Sequence, residues 1–120
     1  MMNAAAIDVR TASRFFRALG DETRLRIVAL LSHGELCVCH IQEALHLSQP
    51  NISRQLGVLR AAGIVDDRRN GNWVYYRLLP QQNADCELHL QRLVQSFAKR
   101  EGLKREVKKL LKALGPAACK

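Results

Sequence analysis

The first 98 residues of this 120-residue chain contain no lysine; every lysine lies at or after Lys99. No apolar stretch approaches the roughly 20 residues that a membrane-crossing helix needs. The alanines near the N-terminus are followed closely by Asp8, Arg10 and Arg14, so no apolar core of a secretory leader forms. These absences argue against a membrane partner and predict a cytoplasmic protein, in which four cysteines (37, 39, 86 and 119) are reduced thiols rather than a disulfide framework. Internal repeats, low-complexity tracts and long linkers are absent too, so the length fits one domain. There is no Cys-x-x-Cys, no Gly-rich phosphate loop and no paired-carboxylate site. The chain is therefore not expected to be an enzyme, and no constitutive cofactor is implied; a small thiol enzyme is the weakest alternative.

What the chain has in excess is positive charge. Nineteen Lys and Arg face 11 acids, for a formal net charge of +8 and a sequence pI near 9.9. Such a balance favours a polyanion, nucleic acid before an anionic membrane surface. Part of the excess sits in the lysine-rich C-terminal segment, where it equally suits a solvated helix face or a ligand-independent DNA binder.

Apolar spacing organises the rest. Ala12, Phe15, Phe16 and Leu19 predict a first helix ending at Gly20. Asp21 is a good N-cap for a second, carrying Leu25, Ile27, Val28, Leu30 and Leu31. Glu35 to Leu45 reads as a short third helix bearing Cys37, Val38, Cys39 and Ile41. Ser48 caps a fourth, with Pro50 in its first turn and Gly63 beyond its end. Ile52, Leu56 and Leu59 form the core stripe of that helix, while Pro50, Ser53, Arg54 and Gly57 point away. The period then changes. Asn70-Gly71 signals a hairpin turn, and Trp73 to Leu78 a return strand. From about Asn83 to Leu114 the helical period returns, with Gly102 expected to kink or divide it and Gly115-Pro116 to end it. Leu90, Leu93, Val94 and Phe97 form one stripe, and Leu103, Val107, Leu110 and Leu114 another, suited to dimerisation.

The order predicts a mainly α fold with a β-hairpin wing: a winged helix-turn-helix spanning 1–120, with a dimerisation helix at about 83–114. In that arrangement the fourth helix enters the major groove of double-stranded DNA. Ser48, Gln49, Asn51, Ser53 and Arg54 are the candidate contacts from it, and Arg68, Arg69 and Asn70 those from the wing. The alternative for Arg68 and Arg69 is simple pairing with Asp66 and Asp67.

Three segments make the sequence recognisable: Leu36-Cys37-Val38-Cys39, Leu47 to Leu56 (LSQPNISRQL), and Asp67 to Leu78 (DRRNGNWVYYRL). Together they closely resemble the ArsR/SmtB family of metalloregulatory repressors over roughly residues 12 to 100. The resemblance implies a homodimer joined by its first and last helices, bound to operator DNA until an inducer releases it. It also implies that Cys37 and Cys39 sense a soft ion, arsenite or methylarsenite, or antimonite, since thiolates are soft donors. Buried structural cysteines and a thiol redox switch are the competing readings of the pair. On a regular helix the two residues would stand about 200° apart, so one ion could bridge them only by unwinding the first turn. The arsenic-responsive pattern has a third cysteine where this chain has Gln42, leaving Cys119, Cys86 or His40 as candidates for a third ligand. A zinc site on the last helix is not expected, because Asp85 to His89 has the wrong spacing and no later histidine follows. His33, His40 and His46 are expected at the surface or in caps.

Overall fold

A computed structural model describes residues 6–114, with the side chains of 113 and 114 excepted. Helix α1 (Val9–Leu19) starts where the Asp8 carboxylate accepts the Thr11 N–H at 2.7 Å, and Gly20 closes it. Asp21 then caps α2 (Glu22–Leu31) by accepting the Arg24 N–H at 3.1 Å. Such side-chain acceptors satisfy amide groups that the first helical turn leaves open.

The first departure from sequence expectation follows. Instead of one helix over Glu35–Leu45, the chain forms a two-residue strand β1 (Leu36–Cys37) and then helix α3 (Val38–Leu45). Cys37 is the extended N-cap residue of α3, outside its helical turns. Hence the 200° separation of a regular helix does not apply to Cys37 and Cys39. His46, in the left-handed region at φ 55°, turns the chain after α3. Helix α4 (Gln49–Ala61) begins at Ser48, with Pro in its first turn as expected. It ends in a Schellman arrangement: Gly63 adopts φ +75°, its N–H donates to the Arg60 carbonyl, and the Ile64 N–H donates to Leu59. Glycine is suited to that left-handed position.

Strands β2 (Val65–Asn70) and β3 (Trp73–Leu78) form the wing, and β1 pairs with the other edge of β3, giving the antiparallel order β1-β3-β2. Asn70 pairs with Trp73, so the turn residues are Gly71 and Asn72 rather than Asn70 and Gly71. Only Gly71 has positive φ (+66°), which fits a turn with glycine first.

The expected C-terminal helix is two helices, α5 (Ala84–Ala98), capped by Asn83, and α6 (Glu101–Leu114). The division falls at Lys99–Arg100, and Gly102 lies within α6. The predicted end at Gly115-Pro116 lies outside the described residues. Both apolar stripes face inward where described: Leu90 and Val107 are buried, while Leu93, Val94, Phe97 and Leu103 pack against the core. These residues contribute to the chain's own interior. The large apolar side chains left exposed include Val9 and Phe16 on α1 and Leu88 on α5. One core cluster joins residues from α1 through α6, with Ile27, Ile52, Leu56 and Leu59 at its fully buried centre.

This division of α5 has a measurable consequence. Leu90→Ala should cost about 2–5 kcal/mol of stability through lost burial and a residual cavity, seen as a lower urea midpoint. Leu88→Ala, 55% exposed in the single chain, should leave the chain's own folding within about 0.5 kcal/mol.

Candidate nucleic-acid interface and thiol site

Helix α4 buries Ile52, Leu56 and Leu59 and leaves Gln49, Pro50, Ser53, Arg54 and Gly57 exposed. Its polar side chains hold one another. Gln49 Nε2 donates to Ser53 Oγ at 2.9 Å, and Arg54 Nη2 donates to Asn51 Oδ1 at 3.2 Å. Ser48 Oγ is occupied in capping, accepting the Asn51 N–H at 3.4 Å. The result is a helix face with short side chains and an ordered set of donors and acceptors, dimensions that suit a major groove. Nothing lies within 4 Å of where a Gly57 Cβ would stand.

A contact not foreseen from sequence orients this helix. Arg24 Nη1 donates to Gln55 Oε1 on α4 at 2.9 Å, while Arg24 Nε and Nη2 donate to the Ala18 and Arg17 carbonyls at 2.6 and 3.2 Å. Its own N–H reaches the Asp21 cap, so one residue ties α1, α2 and α4 together.

In the wing, the alternative reading of Arg68 and Arg69 as simply paired with Asp66 and Asp67 does not hold. Asp66 faces Arg77 at 3.7 Å and Asp67 faces Arg60 at 3.4 Å. Arg68 instead forks onto Glu35: Nε donates to Oε2 at 3.2 Å and Nη2 to Oε1. Its guanidinium carbon lies 4.9 Å from the Tyr75 ring centroid, a cation–π distance. The Arg68 guanidinium holds the Glu35 carboxyl below the usual carboxylate range. Because the folded value is lowered, the pair is intact at neutral pH and its stabilisation is lost as pH falls through that value. Arg69 and Asn70 are exposed, and Arg69 projects from the sheet face opposite Arg68, as alternation along a strand requires.

The two candidate sensing cysteines differ in access. Cys37 is completely buried and disulfide-bonded, so the expectation of four reduced thiols does not hold there, whereas Cys39, in the first turn of α3, is partly exposed and a free thiol. His40 is buried rather than superficial. Its Nδ1 accepts the Cys37 N–H at 3.3 Å and lies 3.2 Å from Cys37 Sγ, so it does cap the helix. Of the three candidate third ligands, His40 is therefore adjacent to the pair. Cys86 is a free thiol in the core cluster on α5, and Cys119 lies outside the described residues. Among the described residues no three His, Cys, Asp or Glu side chains form a ready metal cluster. Burial, with a smaller push from Asp85, raises the Cys86 thiol above its ordinary pKa, which keeps it protonated and a poor soft-ion ligand.

Residues 21–67, covering α2 through the first half of β2, match the family described as bacterial regulatory protein, arsR family. A solved relative reinforces the match. The homodimeric winged helix-turn-helix DNA-binding domain Mb0332 of Mycobacterium bovis, a possible ArsR-family transcriptional regulator, superposes with a TM-score of 0.60 at 30% identity. That alignment covers 82% of this chain and 93% of the relative. The chain belongs to the ArsR family. Within the family it is similar to the arsenic resistance transcriptional regulator ArsR1 of Pseudomonas putida, at 53% identity over 75 residues. It is also similar to the arsenical resistance operon repressor of Escherichia coli, at 57% over 68 residues. These matches cover 62% and 56% of this chain and span only 59% and 58% of the two relatives' lengths. The winged fold expected from the sequence is thus the fold of this ArsR-family chain.

Sequence reasoning missed Arg24 and Glu35 because their partners lie 31 and 33 residues away. In Arg24 the only local signal was its place after the Asp21 cap. For Glu35 it was proximity to the cysteine pair.

Unequal thiol access in this ArsR-family chain should be visible chemically. Under reducing, native conditions at neutral pH, alkylation followed by peptide mapping should label Cys39 well before Cys86. Equal rates would contradict the burial of Cys86 in α5.

Proposed function

We propose that the chain is a cytoplasmic, non-enzymatic transcriptional repressor that binds operator DNA as a homodimer and is released by a trivalent arsenical at Cys37 and Cys39. The observation that carries this reading is the position of the two cysteines. They flank the junction between β1 and α3, and α3 packs directly on α4. Once the Cys37 disulfide is reduced, an ion drawn to both sulfurs acts on the helix against which the DNA-reading helix rests.

The apo protein in this reading places α4 in the major groove. Arg54 and Asn51 face base edges, Ser48, Gln49 and Ser53 meet bases or phosphates, and Arg68, Arg69 and Asn70 follow the adjoining backbone. Gly57 permits close approach; alanine there would gain helix propensity of about 1 kcal/mol while placing a methyl group toward the DNA. Two copies join through the exposed apolar side chains of α1 and α5, Phe16 and Leu88 foremost, placing one reading helix in each half of a near-palindrome. The homodimeric state of the Mycobacterium bovis relative supports this arrangement.

The inducer is a soft, thiol-seeking ion: arsenite, methylarsenite or antimonite. Gln42 stands where arsenic-responsive relatives of the resembling type carry a third cysteine. The site is therefore two-sulfur, as suits a methylated arsenical, or is completed by His40 or Cys119. His40 has the nearer position; Cys86, protonated and in the core, is the least suited. No helix among the described residues is long and apolar enough to cross a membrane, consistent with a DNA-bound role.

Three measurements test the proposal. Cys37→Ser and Cys39→Ser proteins should bind a selected duplex normally but stay bound when methylarsenite is added, whereas the unaltered protein should lose about 5–150-fold in affinity. A double serine variant that is still released would defeat the sensing site. Arg54→Ala should cost about 1–3 kcal/mol of binding if it reads a base. Phe16→Arg should yield monomers in sedimentation and weaken binding; a stable dimer carrying that change would remove α1 from the interface.

A further inference from the structure

Three residues form one rung across the sheet. In the register, Cys37 of β1 stands opposite Tyr75 of β3, and Tyr75 stands opposite Arg68 of β2. Residues paired across antiparallel strands project to the same face, so the buried candidate sensing cysteine and the wing arginine share one face, with the tyrosine between them. Glu35 closes the row from outside. It lies two residues before Cys37, and its carboxylate grips the Arg68 guanidinium through two parallel hydrogen bonds.

We propose that Glu35 is a positioning residue for DNA binding: it aims Arg68 at a phosphate, and it gives up that hold when Cys37 leaves the strand. The proposal rests on the operator-binding reading above and supplies the route by which the thiol site reaches the wing. Arginine has five N–H donors; the fork on Glu35 uses two, leaving three for a phosphate. The fork and the Tyr75 ring together fix a side chain that would otherwise sample many rotamers, so less freedom is lost on contact with DNA. Glu35 itself is placed by the two-residue pairing of Leu36 with Tyr76 and Cys37 with Tyr75. In the reduced protein, with the Cys37 disulfide opened, an ion that draws Cys37 toward Cys39 disturbs that short pairing first. Glu35 then moves off, and the wing loses its aimed cation.

The sign of the effect makes this testable. Removing an acid from a DNA-facing surface ordinarily strengthens binding by reducing repulsion of phosphates. Here Glu35→Gln should weaken it. The experiment uses the full-length dimer and a duplex selected from random sequence by the unaltered protein, with affinity measured across a range of salt. Glu35→Gln should lower affinity about fivefold and flatten the salt dependence by about one unit, as Arg68→Ala should. In the Arg68→Ala background the Glu35 change should add nothing further. Glu35→Asp, which keeps the charge, should recover part of the salt dependence. Tighter or unchanged binding by Glu35→Gln, or losses that simply add, would overturn the positioning role. With methylarsenite, the fold-loss of affinity should be smaller for Glu35→Gln than for the unaltered chain; an equal loss would overturn the link to the cysteines. If methylarsenite and arsenite both fail to release the unaltered protein, the sensing reading falls and the link with it, while the salt-dependence cycle still decides whether Glu35 positions Arg68.

Discussion

A single guanidinium, that of Arg24, meets two carbonyls at the end of α1 and a side-chain amide on α4. Carbonyls at a helix C-terminus lack partners within the helix, and a partly buried arginine needs acceptors for its N–H donors. Each requirement answers the other, and Gln55 takes the remaining edge. The tilt of α4 is thereby referred to α1, the same helix that leaves Phe16 exposed. In the proposed dimer, spacing between the two reading helices is then a property of this joint as much as of the interface itself.

The central strand β3 is the second constraint. It is hydrogen-bonded on one side to the wing strand and on the other to the two residues before α3. A hairpin alone is marginal in water; here β1 supplies the missing third strand. The wing is therefore stabilised partly by the segment that bears Cys37, and a disturbance of that segment removes support from the wing on the edge away from α4, whose Arg60 pairs with Asp67 of β2.

How far the sequence revealed this structure depends on the range of each signal. Helix α4 was legible because Ser48, Pro50 and Gly63 act within one or two turns, and the structure keeps all three roles. Asp21 and Asn83 were legible for the same reason. Strand β1 was not. Two residues have no period, and the apolar run Leu36 to Cys39 fits a helical turn equally well until its partner, some forty residues later in β3, is in place. The hairpin turn slipped by one residue because Asn70-Gly71 and Gly71-Asn72 are both good turn pairs, and only the strand register decides between them. In the last two helices the apolar stripes were seen, but periodicity cannot say whether a stripe meets its own chain or another. Of the candidate site, the polar face of α4 followed from spacing. The capture of Arg68 by Glu35 and the burial of His40 beside Cys37 are tertiary facts with little local trace.

The unequal burial of Cys37 and Cys39 has a consequence for timing. In the proposed sensing role, and with the Cys37 disulfide reduced, an incoming ion meets Cys39 from solvent, but Cys37 is reached only during transient opening of the β1 junction. Capture then has two steps, a concentration-dependent encounter followed by a first-order closure whose rate belongs to the protein. At high ion concentration the response saturates at that opening rate instead of continuing to rise. Under that proposal a brief encounter that ends before the strand opens leaves the wing undisturbed, and the short strand would act as a delay that separates sustained exposure from passing collisions.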